Sequence, residues 1–190
     1  MKVNWKPGTL IYPLPAVLVS AGATADEYNL FTVSWTGTLC TDPALCYISV
    51  RKSRHTYDLL CKNKCFVLNL TTENLSYATD WCGVKSGAEV NKWEAMKLTA
   101  VPAQCVAAPV VAESPLNIEC EVLEIKELGT HDMFIAKVVN IQADQSFIDP
   151  VTGAFDMEKA RLIAYAHGDY YSLGKRIGKF GWSVQKNKKK

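Results

Sequence analysis

Short runs of alternating apolar and polar residues dominate this chain, with only a few stretches of helical spacing between them. Across residues 29–37 the alternation predicts a strand with Phe31, Val33 and Trp35 on one face and Thr32, Ser34 and Thr36 on the other. Ile48, Ser49 and Val50 follow the same period, and a turn at Asp42-Pro43 brings this second segment back alongside the first. Further strands are predicted at residues 65–70, 119–126 and 133–141; in the last of these Phe134, Ala136 and Val138 oppose Ile135, Lys137 and Val139. The apolar stretch 10–23 reads as a first core strand. Helical spacing is confined to residues 53–61 and 74–81 and a short turn at 91–96, and Ser53 and Asn74 suit the N-cap role for the first two. Six or more strands with few inserted helices predict a mainly β fold, an antiparallel barrel decorated at its rim.

Composition narrows the possibilities. With 190 residues and 48% hydrophobic content the chain can bury one sizeable core, and no compositional break divides it, so a single domain over residues 1–190 is expected. A formal net charge of +2 gives no global basic field, and the tail from Lys186 to Lys190 reads as a solubilising end, so no nucleic-acid partner is expected. Pro13 and Pro15 interrupt the one apolar stretch near the N-terminus, the preceding Trp5-Lys-Pro-Gly is a poor charged leader, and no run approaches the ~18 apolar residues of a spanning helix, so no membrane association is expected. Seven scattered cysteines form no zinc-ribbon spacing; they predict no metal site and fit a reducing, cytoplasmic setting in which thiols fill space.

Chemistry concentrates where the second strand gives way to a helix. Arg51, Lys52 and Arg54 flank Ser53 at that junction, where free backbone N–H groups and the positive end of the helix dipole favour an anion; a solvated basic turn is the alternative. The row of hydroxyls at Thr32, Ser34 and Thr36 suits a polar edge-reader on the neighbouring strand, or the wet face of a sheet. Hydrolytic catalysis finds no support: His55, His131 and His167 have no distinctive catalytic setting, and no Gly-x-Ser-x-Gly occurs. No Gly-x-Gly-x-x-Gly follows a strand, so no resident dinucleotide domain is indicated. His131, between a Gly-Thr turn and a strand, reads on its own as a turn histidine bonded to local backbone.

Taken in order, Asn29, Thr32-Val-Ser-Trp-Thr, Pro43, Ser49-Val-Arg-Lys-Ser-Arg-His-Thr-Tyr and Phe66-Val-Leu-Asn-Leu form a specific pattern. It continues through Ala78-Thr-Asp-Trp-Cys-Gly, Asn91-Lys-Trp, Gly129-Thr-His-Asp-Met-Phe-Ile-Ala-Lys-Val and Tyr170-Tyr-Ser-Leu-Gly. Over nearly the whole chain this resembles the flavin reductase-like family with an FMN-binding split barrel, and within it the flavoredoxins. The resemblance implies that Asn29, Thr32, Val33, Ser34, Trp35 and Thr36 line the isoalloxazine of FMN, whose polar edge backbone amides can serve without charging the site. It implies that Arg51, Ser53, Arg54 and Thr56 take the ribityl phosphate, with Ser49 and Lys92 also at the cofactor. It places His131 where a nicotinamide docks. Three functions are compatible with it: a reductase using NADH or NADPH as transient donor, an electron carrier whose bound FMN is reduced by a redox protein partner, or a non-catalytic flavin binder. The resemblance also implies a homodimer, with the segment after Asp149-Pro-Val-Thr-Gly packed on the second subunit.

Overall fold

The computed structural model of the chain describes residues 1–185; the basic tail from Lys186 onward lies outside the described residues. Twelve strands and four short α-helices are present among them. The strands are β1 Leu14–Pro15, β2 Val17–Ala21, β3 Asn29–Val33, β4 Thr36–Cys40, β5 Leu45–Val50, β6 Cys65–Leu70, β7 Ala100–Pro102, β8 Pro109–Val111, β9 Leu116–Glu127, β10 Asp132–Ala143, β11 Ile163–Ala166 and β12 Asp169–Ser172. The helices are α1 Thr56–Asn63, α2 Ser76–Val84, α3 Lys92–Met96 and α4 Met157–Ala160. Seven strands form one sheet in the order β3-β2-β6-β9-β10-β5-β4, antiparallel throughout and curled into a split barrel.

The core follows the alternation. Val17, Val19, Phe31, Val33, Ile48, Val50, Phe66, Leu68, Phe134 and Ala136 pack together inside the curl, joined by Leu60 from α1. Such burial removes apolar surface from water at about 25 cal/mol per Å2, the main term holding the sheet closed. The central strand β6 is covered on both faces, which forces a polar exception into a network: Asn69 donates to the Leu18 carbonyl at 2.9 Å and accepts from the Val111 amide at 2.9 Å and from Asn117 at 2.7 Å. Glu119, fully buried on β9, accepts from Asn140 at 2.7 Å, Gln142 at 2.8 Å and the amides of Gln104 and Cys105. Burial opposes its charge, and these donors outweigh burial and hold its pKa below the ordinary carboxylate value.

Four expectations are corrected. Residues 10–23 do not form one strand: residues 10–13 lie outside any strand and the sheet begins at β2. Residues 29–37 break at Ser34–Trp35 into β3 and β4, because the Trp35 carbonyl accepts from the Ser49 amide at 2.8 Å and the chain turns there to meet β5. The alternation therefore fails at Trp35, which is 37% exposed while Phe31 and Val33 are buried. Ser53 does not cap α1, which starts three residues later behind His55. Asn74 likewise falls inside a 3-10 turn, Glu73–Leu75, ahead of α2. The turn at 91–96 is the helix α3, and there Asn91 accepts from the amides of Trp93 and Glu94 as a true cap. No helix among the described residues is long and apolar enough to cross a membrane.

Candidate functional site

Where β3, the Ser34–Trp35 break and the end of β5 face α2, a cleft with two lobes opens. The first, about 370 Å3, is lined by residues 32–35 and Ser49 on the sheet side, and by Asp80, Gly83, His131, Tyr165 and Tyr170 around them. The second, about 320 Å3, is lined by Asn29, Ser53, His55, Thr56, residues 85–87 and Lys92. Phe31, Arg51, Arg54 and Val84 line both lobes, so the two are one continuous space.

The first lobe is aromatic. Trp35 and His131 lie stacked, 10° apart in plane with centroids 6.3 Å apart, and Tyr165 sits tilted against Trp35 at 6.5 Å. Tyr170 meets Tyr165 edge-on at 5.7 Å, and its pKa is pushed up to about 12 by burial and then by the Asp80 carboxylate. His131 is kept neutral: burial, then Arg51, then Arg54 lower its pKa below the ordinary value. Its Nε2 accepts from Arg51 Nε at 3.4 Å, and its Nδ1 lies 2.9 Å from Thr130 Oγ1.

The second lobe is cationic, and α2 is what makes it so. The last carbonyls of a helix have no intrahelical donor and sit at the negative end of its dipole. Here the Gly83 carbonyl accepts from Arg54 Nη1 at 2.8 Å and the Cys82 carbonyl from Lys92 Nζ at 2.7 Å. Neither Arg51, Arg54 nor Lys92 has a carboxylate within ion-pairing distance among the described residues. Lys92 is only 3% exposed, and burial brings its pKa down to about 8. A buried ammonium with one carbonyl for company is under-compensated, and a bound anion is what would complete it. The helix reaches this position because Thr32 Oγ1 donates to the Thr79 carbonyl and because Gly83 has no side chain: a Cβ there would stand 3.2 Å from that of Thr32. A Cβ at Gly87 would lie 2.2 Å from Asn29 Oδ1, so any side chain there would displace the Asn29 amide.

Of the residues singled out in the sequence, Thr32, Val33, Ser34, Trp35, Ser49 and His131 meet in the aromatic lobe. Ser53, Thr56 and Lys92 meet in the basic one, and Arg51 and Arg54 border both. Asn29 is found in the basic lobe, donating to Thr56 Oγ1 at 2.6 Å, and does not line the aromatic lobe with Thr32 and Val33. Thr36 does not line the cleft; it is buried and donates to the Tyr47 carbonyl at 2.6 Å. Lys52 leaves the basic cluster altogether, turning to Glu127 at 3.4 Å and Asp132 at 3.5 Å. Sequence reasoning missed Asp80, Gly83, residues 85–87, Tyr165 and Tyr170 as lining residues. The blocks containing Asp80 and Tyr170 entered the family pattern, but nothing local marks either as facing a cleft.

The chain matches the family described as "Flavin reductase like domain" over residues 9–174. It is 30% identical over 139 residues to an uncharacterized protein of Archaeoglobus fulgidus, covering 73% of this chain and 77% of that one. Among solved structures it is similar to flavoredoxin of Desulfovibrio vulgaris (Miyazaki F), with a TM-score of 0.90 and 28% identity over 97% of this chain and 100% of that one. It also shares its fold with an FMN-binding protein from Thermus thermophilus, with a TM-score of 0.79 and 24% identity over 94% and 99% of the two chains. A family match spanning all but the first eight and last sixteen residues, on a split barrel with this cleft, makes the protein a member of the flavin reductase like domain family.

Proposed function

We propose that this protein is an FMN-binding oxidoreductase in which NADH or NADPH is the electron donor. The carrying observation is the pairing, in one continuous cleft, of an aromatic lobe with a basic lobe in which Arg51, Arg54 and Lys92 lack carboxylate partners among the described residues. FMN has the complementary build, a flat ring system joined by a polar chain to a dianionic phosphate. When bound, it supplies two-electron chemistry, accepting hydride from a nicotinamide. Arg51, Arg54 and Lys92 would bind the phosphate, helped by the hydroxyls of Ser53, Thr56 and Ser86. Residues 32–35 would present backbone N–H and C=O groups to the ring edge, and Trp35 would wall it. His131, neutral and stacked on Trp35, would offer a flat apolar face for a nicotinamide without adding charge.

A second reading is favoured by the likeness to flavoredoxin: an electron carrier with resident FMN and a redox protein as donor. In either case a second copy of the chain is the proposed partner. Ile177, Phe180, Trp182 and Val184 near one end, and Val3, Trp5 and Ile11 near the other, are exposed apolar side chains with little chain around them, a pattern that association covers.

Arg54→Ala is expected to weaken FMN binding by about 1.5–3 kcal/mol, the loss of a charge-assisted contact, and to leave riboflavin binding unchanged in flavin-fluorescence titrations. Equal losses for both ligands would refute the phosphate assignment. The Lys92 pKa of about 8 fixes a pH dependence. A phosphate beside Lys92 favours its charged form, so FMN binding takes up a proton above that pH, and affinity should fall roughly tenfold from pH 7 to pH 9 while that of riboflavin stays level. A flat FMN profile would remove Lys92 from the seat. Anaerobic addition of NADH or NADPH to the FMN-loaded protein should bleach the oxidised flavin band rapidly; a band that persists with both donors favours the carrier reading. Sedimentation should give twice the 21.0 kDa chain mass, and a monomer at micromolar concentration would rule out the stable dimer.

A further inference from the structure

Asp132 is 1% exposed and borders neither lobe, yet it sits one residue from His131. It opens β10 and pairs with Val50, the last residue of β5, so the backbones carrying His131 and Arg51 leave the sheet side by side. Its Oδ2 accepts from Tyr57 Oη at 2.5 Å and lies 3.5 Å from Lys52 Nζ. One carboxylate thus ties the start of β10 to α1 and to the β5–α1 turn. One residue along each backbone, Arg51 donates to His131 across the mouth between the lobes. The other oxygen, Oδ1, is buried with no hydrogen-bond partner among the described residues, a cost that a residue kept only for stability has no reason to carry. The Tyr57 phenol, its pKa raised chiefly by the bond to Asp132, remains the donor.

We propose that Asp132 is a positioning residue: through Lys52 and Tyr57 it fixes the β5–α1 turn against the start of β10, and so sets the Arg51–His131 pair that joins the two lobes. The pair has a definite proton arrangement. Because Arg51 Nε–H donates to Nε2, the imidazole proton resides on Nδ1, where Thr130 Oγ1 accepts it. That tautomer is a signature of the pair being assembled, readable without any flavin.

The experiment uses the full chain with 15N-labelled histidine, the His131 signals being assigned by their loss in His131→Gln. The flavin-free native protein should show the Nδ1–H tautomer, and Asp132→Asn, which keeps the shape and removes the charge, should shift His131 toward Nε2–H. The same variant should weaken FMN binding about tenfold, leave riboflavin unchanged, and cost less than twofold more when added to Arg51→Ala, because the residue acts through Arg51. If Asp132→Asn does not fold, Lys52→Gln, at a half-exposed position, cuts the same tie and should move the tautomer the same way. An unchanged tautomer, or losses from Asp132→Asn and Arg51→Ala that simply multiply, would overturn the proposal. The affinity arm rests on the FMN reading; if the native protein does not bind FMN, that reading falls and the tautomer arm still decides the role of Asp132.

Discussion

Two carbonyls at the end of α2 are what the cleft depends on. Cys82 and Gly83 offer acceptors that no helical N–H can reach, and Lys92 and Arg54 take them. A carboxylate in the same place would hold the cations equally well and cancel their charge. Carbonyl partners hold them and leave the charge in place. The partial negative end of the dipole contributes about 0.3–1 kcal/mol for exposed groups and up to ~2 kcal/mol where partly buried, too little to offset the burial of an ammonium, and the low pKa of Lys92 is the result. The position of α2 is set in turn by the sheet, through the Thr32–Thr79 bond and the bare Cα of Gly83.

Two buried charges in this protein show how differently a fold can treat them. Glu119 has four donors from two segments among the described residues, and they overcome its burial so completely that its pKa falls. Lys92 has one acceptor among the described residues, and burial prevails. A fully satisfied ion inside a sheet serves the structure, fastening residues 104 and 105 to β9 and β10. An under-satisfied one beside an open cleft keeps a charge that an anion there would complete. The comparison carries more weight than the basic character of either lobe alone, since surface arginines are common and buried lysines without a carboxylate partner are rare.

The sheet was legible because its period is 2 and its buried faces are strict: Phe31, Val33, Phe134 and Ala136 point inward as the alternation requires. What escaped was decided by tertiary bonds. Nothing at Ser34-Trp35 marks a strand break, which exists because Ser49 claims the Trp35 carbonyl. Ser53 looks like a cap and is a lining residue instead, and Lys52 looks like its neighbours but answers to Asp132 and Glu127, both distant in sequence. Lys92 and His131 were reached only through the family pattern, since each has an ordinary local setting. The segment 80–87 and the tyrosines of β11 and β12 carry no local signal for the cleft, because their place in it follows from how α2 and the small sheet β1-β11-β12 fold over the rim.

Arg51 lies at the boundary of the lobes and touches the imidazole of one while its charge faces the other. Burial, Arg51 and Arg54 together disfavour the imidazolium form of His131. An anion seated between the arginines would offset two of those three causes and leave only burial, so filling the basic lobe raises the proton affinity of a ring in the aromatic one. Coupling of this kind needs no moving part. It follows from two cations sharing their field between an anion seat and a histidine, and linkage makes it reciprocal: protonating His131 adds a cation beside the seat and strengthens anion binding there, and keeping it neutral weakens that binding by the same factor.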